Sequence, residues 1–143
     1  MPRQCGVYRV DRVVVRKSQR EMLLLSGDSV VRSYRVALGR APVGRKEHEG
    51  DGRTPEGRYT IDRRNPKSRY HLSLHISYPD EADSARAQSR GLDPGGDIMI
   101  HGLKPGVDHP ASDWTQGCIA VTNMEIEEIW ELVADGTPVE ILP

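Results

Sequence analysis

Two residues of the chain can carry nucleophile-and-base chemistry, and their settings suit it. Cys118 lies in Thr115-Gln116-Gly117-Cys118-Ile119-Ala120, and His101 closes Ile98-Met99-Ile100-His101 just before Gly102. A thiolate, not a thiol, is the nucleophile in cysteine catalysis, so such a residue needs a base or an electropositive neighbour. A glycine immediately before the cysteine lets a substrate approach the backbone and lets successive N–H groups point outward. Those N–H groups are what a carbonyl oxygen needs as its carbon turns tetrahedral. A histidine that ends an apolar strand and precedes a glycine is mounted rigidly at a loop mouth, where a general base belongs. Each residue also has a plainer reading, the cysteine as a small buried hydrophobe and the histidine as a polar strand end. His101, Asp108, His109, Asp113 and Cys118 show no recognised ligand spacing, and no Cys-x-x-Cys pair occurs. Metal is therefore not expected.

The elements that must hold these residues read as strands. Valines at 7, 10 and 13–15 form a β-branched stretch, and apolar runs at 21–25 and 30–38 flank Ser26-Gly27-Asp28-Ser29, a hairpin turn. Residues 71–78 alternate cleanly, with Leu72, Leu74, Ile76 and Tyr78 on one face and His71, Ser73, His75 and Ser77 on the other. Short strands are also expected at 58–62, 97–101 and 137–142. Long loops are expected at 39–57, 79–96 and 102–113, where Gly, Pro and charged residues gather. One helix is marked. Thr122 and Glu125 have capping-box spacing, Ile126, Ile129, Trp130 and Val133 make one apolar face, and Asp135-Gly136 reads as the stop. About seven strands and one helix make a mainly β domain with long loops.

Composition narrows the class. The 143 residues hold 20 Lys+Arg and 21 Asp+Glu, with 36% hydrophobic residues and no Phe, so an aliphatic core in one domain is expected. The charges are uneven: residues 1–71 hold 17 basic and 8 acidic residues, and residues 72–143 hold 3 and 13. Residues 1–9 read as an N-terminal arm and 10–143 as the domain. The basic stretch from Arg45 to Arg69 is interleaved with acidic residues and carries no reader motif, so nucleic acid is not an expected partner. Met22-Leu23-Leu24-Leu25 is far too short to span a bilayer or serve as a signal core. Cys5 and Cys118 sit in unlike settings, and one functional thiol beside a spare one is expected rather than a disulfide.

His101-Gly102 followed by Thr115-x-Gly117-Cys118-Ile119 resembles the signature of the YkuD-type L,D-transpeptidases (the ErfK/YbiS group). Thr54-Pro55-Glu56-Gly57 is similar to that family's Thr-Pro-x-Gly, and Gly136-Thr137-Pro138-Val139 to its closing segment. The resemblance covers residues 10–142. Gln116 stands where the family usually has His, Ala120 where Arg is common, and the loop of 13 residues from 102 to 114 is slightly short. Tyr70 to Leu74 and Asp113-Trp114-Thr115 resemble the YafK-like branch.

The resemblance implies a mainly β, sandwich or open-barrel fold and thioester chemistry on peptidoglycan stem peptides. Cys118 would be the nucleophile and His101 its base, oriented by the Gly102 carbonyl, with the amides of Gly117, Cys118 and Gln116 as oxyanion donors. Thr115, Arg53, Arg58, His75 and Trp114 are the candidate substrate contacts. The implied activity is L,D-transpeptidation through a tetrapeptide donor. The alternatives are a hydrolytic relative (a carboxypeptidase, or an amidase releasing a peptidoglycan-linked lipoprotein) and a non-catalytic cell-wall-binding domain. No cofactor, carbapenem-type inhibitors, a monomer and a periplasmic or envelope location complete the expectation. The chain shows no signal peptide, so a trimmed or cytoplasmic form stays open.

Overall fold

A computed structural model describes residues 9–104 and 112–143. Cys5 and most of the proposed arm, with Asp108 and His109, lie outside the described residues. Eight strands and two helices follow one another as β1 (Arg12–Arg16), a 3-10 turn (Lys17–Gln19), β2 (Glu21–Ser26), β3 (Ser29–Arg35), β4 (Gly57–Ser68), β5 (His71–Ile76), α1 (Glu81–Gln88), β6 (Met99–His101), β7 (Ile119–Ala120), α2 (Asn123–Leu132) and β8 (Pro138–Leu142). The strands form one sheet in the order β3-β2-β1-β8-β4-β5-β6-β7.

The corner of that sheet is β4. Its first residues, Gly57 to Thr60, pair with β8, and from Ile61 onward it pairs with β5, with register irregularities between Ile61 and Arg63 and between Asn65 and Ser68. Such bulges raise local twist and bend a strand. The two edges are then brought together by the segment after β3, where Ala37 bridges Ala120 and Gly39 bridges Thr115. Aliphatic residues fill the interior from all sides: Val13, Val15, Met22 and Leu24 from β1 and β2, Ile61, Leu74, Ile76, Ile100 and Ile119 from the strands beyond, and Ile126 and Ile129 from α2. The result is a curled, mainly β fold whose edges meet beside the Thr115–Cys118 turn.

Several local expectations hold. Ser26 pairs with Ser29 around a two-residue turn, with Gly27 at φ +59°, the backbone that glycine adopts without strain. The α2 capping box closes in both directions between Thr122 and Glu125, and Ile126, Ile129 and Val133 are buried.

Others need correction. The polar stretch 79–96 is not all loop, because Glu81–Gln88 is helical behind an Asp80–Asp83 capping box. That helix has no apolar stripe to betray it. It is anchored by the buried carboxylate of Asp83, which accepts from Tyr59 Oη at 2.7 Å and from Arg86. The α2 helix ends at Leu132 with Val133 as its cap, earlier than the Asp135-Gly136 stop. Its last carbonyls are satisfied by a side chain instead, since Arg64 donates to Trp130 O at 2.9 Å and Val133 O at 2.6 Å while its guanidinium lies 4.6 Å over the Trp130 ring. On β5 the second face divides, with His71 exposed and Ser73 and His75 buried. No helix among the described residues is long and apolar enough to cross a membrane.

Candidate active site

Register alone brings the two chemical residues together. In the parallel β6–β7 pair Ile100 lies opposite Ile119 and His101 opposite Ala120. Ile100 and Ile119 point into the core, so by alternation Met99, His101, Cys118 and Ala120 share the other face. Cys118 is then the neighbour of Met99 and a diagonal neighbour of His101, at a Cβ separation of roughly 7 Å that long side chains span. Continuing across β5, Ser73 lies opposite His101 and His75 opposite Met99.

Local chemistry fixes each side chain. The turn before Cys118 depends on Thr115, which is buried. Its hydroxyl donates to Cys118 O at 2.7 Å and accepts from the Gly117 amide at 3.1 Å. Gly117 sits at φ +137°, and a Cβ there would meet the Arg53 carbonyl at 2.7 Å and Ile98 Cδ1 at 3.0 Å. Only glycine fits. The turn is anchored from outside by Asp113, whose carboxylate accepts from Arg20 Nε and Nη2 and from the Leu38 amide. Thr115 N then donates to Leu38 O, and Arg40 N to Thr115 O.

His101 is buried and its Nδ1 lies 2.6 Å from the Gly102 carbonyl. A carbonyl only accepts, so Nδ1 carries the hydrogen and, in the neutral ring, Nε2 is the basic nitrogen. Gly102 is as constrained as Gly117, because a Cβ would run into Asn123 Oδ1 and the Tyr70 carbonyl. Tyr70 also stacks on the imidazole at 4.4 Å between centroids, and Trp114 flanks both rings, 5.7 Å from His101 and 5.5 Å from Tyr70. Burial holds the His101 ring below the usual imidazole range, only partly offset by the Gly102 bond.

The Cys118 thiol is half-buried and free. It donates to Asp97 O at 3.3 Å and accepts from the Met99 amide at 3.4 Å. Burial raises it above the ordinary thiol value, and Asp97 adds to that, while the Met99 N–H and the Lys46 charge act in the opposite sense. Both shifts favour a resting thiol beside a neutral imidazole over a preformed ion pair. The thiol opens on a depression of about 210 Å³ bordered by Lys46, Glu49, Gly95, Asp97, Ile98 and Gln116.

The other candidate residues separate clearly. Trp114 and Thr115 lie at the site, Trp114 packing on His101 and Thr115 acting as the turn's internal staple. The Gly117 amide is committed to Thr115, whereas the Gln116 and Cys118 amides donate to no other described residue. His75 shares the face of His101, but its Nδ1 is held 2.6 Å from Asp62 Oδ1. Arg53 lends its backbone to the wall under Gly117, and its side chain pairs with Glu47 at 3.6 Å. Arg58 is remote: its side chain is 87% exposed, pairs with Glu140 and borders a separate depression with Arg12 and Pro138. Two residues that were not candidates join the site, although Tyr70 lies in the stretch that resembles the YafK-like branch and Lys46 in the basic stretch. Tyr70 covers the imidazole, and Lys46 borders the cavity. No sequence spacing links either to Cys118. Among the described residues no group of three or more His, Cys, Asp and Glu is placed to hold a metal ion.

The fold has counterparts among known proteins. Residues 10–141 match the family model described as L,D-transpeptidase catalytic domain, YkuD. YafK of Escherichia coli (strain K12), a relative whose name places it in the same family, is 32% identical over 103 residues, which are 71% of this chain and 36% of that one. The helical cell shape determining protein Pgp2 of Campylobacter jejuni superposes with a TM-score of 0.73 at 25% identity, over 94% of this chain and 48% of that one. Bd1075 of Bdellovibrio bacteriovorus has the same fold, with a TM-score of 0.66 at 23% identity over 97% of this chain and 50% of its own. The chain thus spans about a third of YafK and half of the two solved proteins. With a family match across nearly its whole length, the chain belongs to the L,D-transpeptidase catalytic domain family, YkuD.

Proposed function

We propose that the chain is a cysteine acyltransferase that forms or exchanges L,D peptide bonds on peptidoglycan stem peptides in the cell envelope. The observation that carries this reading is the shared sheet face of Cys118 and His101, with Nδ1 of the histidine tied to Gly102 so that Nε2 is the basic nitrogen. The thiol turns from the Asp97 carbonyl toward His101 Nε2 and gives up its proton there. Its sulfur bonds to the carbonyl carbon at the L-centre of diaminopimelate in a tetrapeptide stem. The oxyanion is met by the Cys118 and Gln116 amides, since the Gly117 amide is already spent on Thr115. The bond to the terminal D-Ala breaks and its nitrogen takes the proton back from His101, leaving a thioester on Cys118. An acceptor amine then attacks the thioester to make a new L,D bond; water in its place gives a carboxypeptidase or amidase product. Because thiol and imidazole rest neutral, the proton leaves as the sulfur attacks, which is general-base rather than ion-pair catalysis.

Incubation with disaccharide tetrapeptide, followed by mass analysis, tests the reaction through cross-linked dimer, exchange product or tripeptide. Cys118→Ala is expected to remove all of them, and with them covalent labelling by a carbapenem; Cys5→Ala is expected to remove none. A wild-type protein whose Cys118 reacts with neither a carbapenem nor a thiol probe would instead be a cell-wall-binding domain.

A further inference from the structure

Ser73 is a buried hydroxyl with nothing to hold. It is 2% exposed, and its Oγ has no hydrogen-bond partner among the described residues. The polar groups beside it are committed elsewhere. Asn65, opposite it on β4, gives its Oδ1 to the Lys67 amide at 2.9 Å. On β5 itself His75 turns Nδ1 to Asp62 and His71 turns Nε2 to Glu127, both at 2.6 Å. Buried hydroxyls without a partner are uncommon in folded chains, because each costs stability.

The register gives this one a use. In the antiparallel β5–β6 pair Ser73 lies directly opposite His101, on the face turned from the core, where Cβ atoms stand about 5 Å apart. His101 is itself buried, and its Nδ1 is on a neutral carbonyl, not on a carboxylate. When Nε2 takes the Cys118 proton the ring becomes a buried cation, which needs polar compensation. The surrounding groups offer little. Met99 and Ala120 are apolar, Tyr70 meets the ring by stacking, and Lys104, 5.4 Å over Trp114, is another cation. The Asp62 carboxylate is engaged by His75, and Arg63 lies toward Asp97. Ser73 is the uncommitted polar side chain facing the ring.

We propose that Ser73 is a positioning residue for the acyl transfer: its hydroxyl turns its oxygen to the edge of the His101 ring while that ring is an imidazolium, and stabilises it between the two proton transfers. The proposal rests on the reading of Cys118 and His101 as nucleophile and base. Ser73 exchanges no proton. The proton passes from Sγ to Nε2 as the S–C bond forms, and from Nε2 to the D-Ala nitrogen as the C–N bond breaks. Throughout, the Ser73 O–H bond stays whole and only rotates. The hydroxyl is thus unpaired in the resting chain and paired in the charged one.

Ser73→Ala separates this role from a structural one. Its urea midpoint is expected to be no lower than that of the wild type, because the substitution removes an unpaired group. The His101 imidazole titration, followed by NMR, is expected to move to lower pH, since only the charged ring loses a partner. Acylation of Cys118 by a carbapenem, timed by intact mass, is expected to slow roughly tenfold. Ser73→Thr, which keeps the hydroxyl and suits a strand, is expected to restore both. An unmoved His101 titration in Ser73→Ala overturns the proposal, and so does a lowered urea midpoint, the mark of a hydroxyl paired at rest. A titration that moves in a protein whose wild type never acylates sinks acyl transfer and keeps the contact with His101. Acylation at the full rate in Ser73→Ala keeps acyl transfer and sinks the role of Ser73.

Discussion

Lys17 and Lys46 are both buried, at 2% and 4% exposure, yet they are buried to different ends. Lys17 leaves the corner between β1 and β2 and finds three acceptors for its three hydrogens: Gly44 O at 2.8 Å, Thr54 O at 2.6 Å and Glu56 Oε2 at 3.2 Å. It ties the two ends of the 39–57 loop to the sheet, and burial pulls its pKa down while Glu56 pulls it back. Thr54, fully buried, adds a bond to its hydroxyl from the Gly39 amide. The Thr54-Pro55-Glu56-Gly57 match is accordingly explained by loop anchoring, with its carbonyl and its carboxylate both on Lys17. Lys46 has two acceptors, both within its own loop, and stands at the cavity. A saturated ammonium is a structural staple. One with a hydrogen to spare among the described residues, at the wall of a cavity, is free to meet a further acceptor.

Three measurements test that contrast. Lys17→Met should cost the most, about 3 kcal/mol, because it strands a half-buried carboxylate and two carbonyls. Lys46→Gln should cost less than half as much, since Asp51 keeps three amide donors. Urea unfolding of both variants decides, and equal losses would erase the distinction.

Acid should act next, in two windows. The His101 pKa is lowered in the folded state, so its contribution is full above the usual imidazole value of about 6.5 and is lost as pH falls below it. Asp51, also lowered, contributes above the ordinary carboxylate value and loses about 2 kcal/mol as pH falls toward 2. Stability measured against pH should lose the first limb in His101→Gln and the second in Asp51→Asn. The smallest change should come from Thr122→Ala, which opens the α2 capping box far from either lysine and should cost about 1 kcal/mol. It should leave the thiol's reactivity unchanged, as read by alkylation rate.

What is legible from the residues is what repeats or caps locally. The Thr122–Glu125 box, the apolar face of α2, the Gly27 turn and the inward face of β5 are set by side chains a few positions apart. The same is true of the settings of Cys118 and His101, where a glycine neighbour and an apolar strand are visible in a short window. The α1 helix is not legible in this way because its anchor is Asp83, reaching Tyr59 on another strand, and not an apolar stripe. The true end of α2 is hidden for a similar reason: Arg64, distant in sequence, takes the role of the terminal glycine.

The chemistry available to this protein is written in short windows of residues: one thiol after a glycine, one strand-end imidazole before another, and the aliphatic strands to mount them. Folding settles which groups surround that chemistry. It put Tyr70 on the imidazole, committed the Gly117 amide to Thr115, sent Arg58 elsewhere and brought Lys46 to the cavity. Apolar periodicity and capping act within a few residues, whereas hydrogen bonds and burial among polar groups depend on which distant segments the curled sheet brings together.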